Sequence, residues 1–174
     1  GSGSASFEII RDLVNKLPIM ITPKWLNTKC QPIAIPDVLD FLSKSLLNPV
    51  TYHQSFDIGG SDIITYKEML LGFAAAKKLK RWIVTIPIMT PKLSSYWLYF
   101  VTSTSYRLAS ALVSSMKVEV ICSDNRINTL LNVTPMSYQQ ALSRALIKVD
   151  EDKVASSWKD SLISGRFSSN MSEY

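Results

Sequence analysis

An α/β chain with parallel strands is what this sequence predicts, and the stretch from Thr28 to Glu68 predicts it. A short apolar run, Cys30 to Ile35, leads into an amphipathic helix opened by Pro36 and Asp37; a second run, Ser55 to Ile58, is followed by Gly59-Gly60 and another helix. That order, strand, helix, strand, helix, is the βαβα pattern of α/β proteins, whose parallel strands need long crossovers. Each helix start has a local cause. Pro36 costs nothing at the first helical position, where its missing N–H would have no partner, and Asp37 favours the positive end of the helix dipole. Thr65 and Glu68 form a capping box, with Ile64 and Met69 placed as a hydrophobic staple. Tyr66, Met69, Leu70, Phe73 and Ala74 then recur at i, i+3, i+4, i+7 and i+8, one buried stripe.

In chain order, Ser6 is the expected cap of a helix from Phe7 to Leu17, with Ile10, Leu13, Val14 and Leu17 inside and Pro18 as its stop. Ile19 to Trp25, containing Pro23, reads as an extended loop. Gly59-Gly60, without a third glycine, reads as a tight turn with positive φ. Trp82 to Ile88 is β-prone, and its prolines confine it to an edge. Helices about Pro91 to Val101 and Ser105 to Met116 come next, then a candidate strand Val118 to Cys122. Ser137 and Gln140 form a second capping box ahead of Tyr138, Ala141, Leu142, Ala145 and Leu146. From Val149 the chain turns acidic, carries Val154, Trp158 and Leu162 on one helical face, and ends Ser-rich. This organisation gives residues 1–81 as one α/β part, 82–148 as a small, mostly helical lobe, and 149–174 as a helix and linker toward a possible following domain.

The 174 residues, 47% apolar and 19% charged, suffice for one sizeable core. The net charge of +5 is scattered except at Lys77, Lys78, Lys80 and Arg81. Cations at a predicted helix C-terminus favour the dipole, so this group reads as structural rather than as a nucleic-acid patch, despite Trp82 beside it. Cys30 and Cys122 lie in apolar runs without companions at ligand spacing and read as reduced core residues, which makes a cytoplasmic setting the default. His53, the only histidine, sits in a polar turn with no second ligand. The carboxylate pairs Glu8/Asp12 and Asp37/Asp40 fit solvated faces and helix starts better than glycosidase chemistry. No G-x-S-x-G elbow and no metal-ligand spacing occurs. No stretch reaches the ~18 apolar residues that span a bilayer; Leu93 to Tyr106, with the aromatics Tyr96, Trp97, Tyr99 and Phe100, reads as buried helix more than as membrane surface.

A dinucleotide cradle needs glycines at G-x-G-x-x-G or G-x-x-G-x-x-G spacing, so that backbone amides approach a pyrophosphate. Glycines 1, 3, 59, 60, 72 and 165 fit neither.

Yet QPIAIPDVLDFL followed by QSFDIGGSDIITYKEML resembles the distal half of an atypical or extended short-chain dehydrogenase/reductase of the NmrA-like branch, most closely a nucleoside-diphosphate-sugar epimerase-like bacterial subgroup. SASFEIIRDLVNKLPIMITPKW before it and TPKLSSYWLYFVT after it extend the resemblance over roughly residues 1 to 148. The resemblance implies the distal fragment of a Rossmann-type NAD(P)-binding fold with a mostly helical substrate lobe. It implies NAD or NADP held mainly by an N-terminal half of the same protein, which would be the chain's partner, and a small-molecule substrate in a cleft between the two. Ser4, Ala5, Ser6 and Phe7 would lie near the nicotinamide end; Trp25, Lys29 and Gln31 would wall the substrate pocket. Members with the reductase chemistry use Tyr with Lys four residues on. Here Tyr52, Tyr66, Tyr96, Tyr99, Tyr106 and Tyr138 are followed at that spacing by Phe56, Leu70, Phe100, Ser103, Ser110 and Leu142, so the catalytic pair is expected upstream or not at all. The resemblance therefore carries two functions, the substrate side of an NAD(P)-dependent oxidoreductase or epimerase-like enzyme and a non-catalytic dinucleotide-sensing or assembly protein.

Overall fold

A computed structural model describes residues 4–86 and 106–150. The expected helix Pro91 to Val101, the aromatic group Tyr96 to Phe100 and the tail segment with Trp158 lie outside the described residues. Helix α1 (Ala5–Lys16) is followed by β1 (Ile19–Pro23), a 3-10 turn (Lys24–Asn27), β2 (Lys29–Cys30), α2 (Ile35–Ser45), β3 (Ile64–Thr65), α3 (Tyr66–Ala76) and β4 (Trp82–Ile86). After the undescribed stretch come α4 (Tyr106–Ser115), α5 (Arg126–Leu131) and α6 (Tyr138–Asp150).

Helices α2 and α3 form where the βαβα reading placed them, but its strands do not: of Cys30 to Ile35 only Cys30 is in a strand, β2, and the partner of β2 is β3 at Ile64–Thr65 rather than Ser55 to Ile58. β2 and β3 are antiparallel, with Lys29 opposite Thr65 and Cys30 opposite Ile64. The parallel pair is β1 with β4, Ile19 to Pro23 in register with Trp82 to Ile86. The segment from Ile19 is thus a strand rather than a loop: Pro23 closes it, and its residues alternate, Met20 and Thr22 fully buried, Ile19 and Ile21 exposed. Ser55 to Ile58 alternates in burial as a strand would, Phe56 and Ile58 half-buried and Ser55 and Asp57 exposed, but joins no ladder among the described residues. The candidate strand Val118 to Cys122 is reduced to one parallel bridge, Val120 with Cys30.

The helices follow their apolar stripes. The larger core gathers Phe7, Ile9, Leu13 and Val14 of α1, Leu70, Phe73 and Ala74 of α3, Val113 of α4, and Leu142, Ala145 and Leu146 of α6. Phe7 and Phe73 meet edge to face at 5.8 Å, the geometry that ring quadrupoles favour. A second core joins Phe41 of α2 to Ile127, Leu131 and Val133, with Ile33, Phe56 and Ile58 against it. Since β4 pairs with β1 and α6 shares the larger core with α1 and α3, the described packing runs across residue 81. The exposed i,i+4 pairs Lys16–Asp12 (3.1 Å) and Lys44–Asp40 (2.9 Å) add only a few tenths of a kcal/mol each.

Both capping boxes form: Thr65 with Glu68, and Ser137 with Gln140, whose amides and side chains exchange bonds of 2.9 and 3.2 Å. At α1 the cap is Ser4 rather than Ser6, its Oγ accepting from Phe7 N–H at 3.3 Å, so the helix begins two residues ahead of the expected start. The end of α3 is a Schellman motif. Leu79 N–H donates to Ala74 O (2.8 Å) and Lys78 N–H to Ala75 O (2.9 Å), with Lys78 left-handed at φ 56°. An L side chain there costs about 1 kcal/mol. Lys78→Gly is therefore expected to raise stability by about 0.5–1 kcal/mol, read as a higher urea midpoint at unchanged m-value; an unchanged or lower midpoint would contradict this account of the turn.

Candidate functional site

The described residues with the densest long-range polar contacts surround Gln31, one of the expected pocket residues. Gln31 follows β2, and its backbone N–H donates to Val120 O at 2.9 Å while Val120 N–H donates to Lys29 O at 3.2 Å. Its side-chain amide is used at both ends: Nε2 donates to Gly60 O at 2.7 Å, and Oε1 accepts from Cys122 N–H at 2.9 Å. Three distant segments, 29–31, 59–60 and 120–122, are thereby held together.

The glycine pair makes this possible by close approach, not by left-handed backbone, since neither residue has positive φ. A Cβ on Gly60 would stand 2.0 Å from Pro32 O, and one on Gly59 would stand 2.6 Å from Gln31 Cδ and 2.8 Å from Cys122 Sγ. The neighbouring loop is secured by carboxylates. Asp57 accepts from Ser123 N–H (2.9 Å) and from the Ser123 hydroxyl, bonds that hold its carboxyl below the usual range. Arg126 donates to Ser55 O at 3.0 Å and lies 4.7 Å over the Phe56 ring. Asp37 does more than favour a helix start: largely buried, it accepts from Met136 N–H at 2.9 Å, and Asp62 accepts from Tyr138 N–H at 2.8 Å.

The other expected positions separate into two places. Ser4 caps α1, Ala5 and Ser6 follow in its first turn with Ser6 exposed, and Phe7 is buried in the larger core, against which Trp25 of the 3-10 turn also packs. Lys29 is exposed on β2 and helps lower the carboxyl of Glu68, whose chief cause is the capping bonds to Thr65. The structure therefore brings Phe7 and Trp25 onto one core, and Lys29 and Gln31 onto another edge. A cleft of about 340 Å³ between α3 and β4 is lined by Leu71, Ala74, Ala75, Leu79, Lys80, Arg81 and Trp82, and by none of the seven expected residues. Residue types alone gave no signal for the Asp57–Ser123 and Gln31–Cys122 contacts, which span 66 and 91 residues.

Reactive groups in this region are held neutral. Burial, with the Glu68 carboxylate second, pushes the Cys30 thiol up to about 11, and its Sγ points to Ile64 O and Met69 Sδ, both at 3.4 Å. Burial likewise raises Tyr66 and Tyr138, and the Tyr138 hydroxyl donates to Met69 O at 2.8 Å. Cys122 is raised too, by burial and then by Asp57. His53 is exposed at φ 56°, a turn residue. Among the described residues no cluster of His, Cys, Asp or Glu could hold a metal, and no helix is long and apolar enough to cross a membrane.

The fold is of the α/β, Rossmann-like class, with helices packed on short strands and one strand pair parallel. In solved structures its fold is similar to that of dTDP-4-dehydrorhamnose reductase from Bacillus anthracis str. Ames in complex with NADP, with a TM-score of 0.53 and 10% identity over 83% of this chain. The chain spans 43% of that reductase. No protein-family profile matches the chain, and no curated sequence does.

Two outcomes follow. Gly60→Ala forces the Pro32 carbonyl away and is expected to lower stability by about 2–3 kcal/mol. Gly72→Ala, where the new Cβ meets only the Tyr138 ring edge at 2.9 Å and the helix gains about 1 kcal/mol in propensity, should be near neutral. Urea unfolding of both variants checks this pair, and equal effects would contradict it. Second, Cys30, Tyr66 and Tyr138 bind their protons more tightly folded than unfolded, so stability is retained below the ordinary thiol range near 8.5 and falls as pH rises from there toward about 11. Cys30→Ala should flatten the first part of that decline in midpoints taken across this window, and an unaltered slope would remove Cys30 from the account.

Proposed function

We propose that this chain is the substrate-side portion of an NAD(P)-dependent oxidoreductase or epimerase-like protein, of the atypical short-chain dehydrogenase/reductase, NmrA-like kind. Its dinucleotide is held mainly by an N-terminal portion of the same protein. The observation that carries this reading is the fold shared over 83% of the chain with 43% of a reductase in complex with NADP. The chain's own chemistry agrees with a covering part: its glycines serve backbone approach, and its buried thiol and phenols stay protonated. Ser55 to Ile58, alternating like a strand but outside any described ladder, suits a place in a sheet shared with that other portion.

In this reading the start of α1, Ser4 to Phe7, faces the nicotinamide end, with Ser6 exposed there and Phe7 anchoring the turn in the core. Trp25 and Lys29 wall the substrate pocket, and Gln31 fixes the wall rather than contacting substrate, since its amide is engaged at both ends. A second reading, a non-catalytic dinucleotide-sensing or assembly protein, draws on the spacing of the tyrosines, none of which has Lys four residues on. NADPH titration followed by fluorescence separates the readings from failure of both. Residues 1–174 should show no saturable binding, whereas the protein extended at its N-terminus should bind in the micromolar range; saturable binding by residues 1–174 alone would overturn the proposal. Transfer of deuteride from labelled NADPH to a carbonyl substrate by the extended protein would mark the enzyme, and binding without transfer the sensor.

A further inference from the structure

Helix α2 carries more apolar surface than its place in the fold covers. Its inner face supplies Phe41 to the smaller core and buries Asp37. At 3.6 residues per turn, Ile35, Leu39, Leu42 and the capping Leu46 fall within about 60° of one another on a different, outward face, and they are 55–74% exposed. The apolar surface runs on past the helix end, where Leu47 is 80% exposed and Val50 and Tyr52 are half exposed. Leu47 is also left-handed, at φ 58°, a conformation that a leucine disfavours and that no burial within this chain offsets. Contiguous apolar surface of this extent marks a contact site.

The stripe's spacing, charge and area select its occupant. Steps of four, three and four residues are those of a coiled-coil seam. They are symmetric about a midpoint between Asp40 and Phe41, so in an antiparallel pair related by a two-fold axis Leu39 of one copy meets Leu42 of the other, and Ile35 meets Leu46. The positions beside the stripe, Pro36, Val38, Ser43 and Ser45, are uncharged, while Asp37, Asp40 and Lys44 lie away from it; pairing therefore sets no like charges together, and the helix dipoles oppose favourably. Two Asp and one Lys are not the Lys/Arg-rich polar face with which a helix lies on a membrane. The six aliphatic side chains from Ile35 to Val50 each retain about 60 Å² of apolar surface, on the order of 400 Å² per copy. With interfaces roughly 60% apolar, a pair buries about 1,300 Å², against the roughly 1,200–2,000 Å² of specific complexes.

We propose that two copies of this chain associate through α2, antiparallel about a two-fold axis, covering Ile35, Leu39, Leu42, Leu46 and Leu47 of each. This inference is independent of the dinucleotide reading. Sedimentation equilibrium of the complete 174-residue chain tests it. The parent should pass from monomer to dimer in the micromolar range, the weak end for an interface of this size. Leu42→Lys, at a position outside both cores, should weaken association at least a hundredfold with its circular dichroism unchanged, while Trp82→Ser, on a different exposed surface, should leave the dimer intact. A chain that stays monomeric at all concentrations, which would leave the face to a different protein, a dimer that survives Leu42→Lys, or one lost in Trp82→Ser would overturn the proposal. Mild oxidation of an equimolar mixture of Leu39→Cys and Leu42→Cys, mapped by mass spectrometry, reads the alignment. Bonds between positions 39 and 42 should predominate; 39–39 and 42–42 bonds in their place, or none at these positions, would also overturn it.

Discussion

A carbonyl oxygen where a side chain would otherwise stand is the constraint on which the junction of this fold depends. With Pro32 O 2.0 Å from the place of a Gly60 Cβ, residues 31–32 and 59–60 can pass at backbone contact. Only at that separation can the Gln31 amide reach both Gly60 O and Cys122 N–H. The rest of the smaller core follows from this contact. Phe56 and Ile58 lead into the glycines and press on Phe41, while Val120 and Ser123 are carried to the same place and Arg126 closes over Phe56. Because each of these bonds joins segments far apart in sequence, the junction is specified by tertiary fit and not by local propensity.

That division explains what could be read in advance. Helices α1, α3 and α6 were legible because a 3.6-residue period and a Ser/Thr cap are local signals, and Leu13, Val14, Leu70, Phe73, Leu142 and Leu146 are indeed inside. Strand pairing was not. A ladder of two residues, such as β2 with β3, leaves no periodic trace, and Pro23 made β1 look like a loop although a proline at the last position removes nothing the pairing needs. Gly59-Gly60 was legible as special but for a different reason, since close approach and positive φ favour the same residue. Asp37 was assigned to its own helix dipole, and its bond to Met136 lies 99 residues away.

For the candidate site, sequence placed Gln31 at an important position and missed why. Its side-chain amide is engaged at both ends within the protein, joining residues 59–60 to 120–122. Phe7 supports the start of α1 from within the core, while Ser6 and Lys29 are exposed. Burial also sorts chemistry here: the groups with nucleophilic or acid/base potential, Cys30, Tyr66 and Tyr138, are held protonated by desolvation, as structural residues are. The fold likeness to a reductase in complex with NADP covers 43% of that protein; the proposed function assigns this chain the cover and wall, with the cofactor gripped elsewhere.

The most direct test of that claim is a crystal structure of the N-terminally extended protein with NADP bound. The account predicts the pyrophosphate on backbone amides that precede residue 1, with the nicotinamide ring near Ser4 to Phe7. A dinucleotide seated wholly among residues 4–150, its phosphates on Gly59 and Gly60, would contradict it.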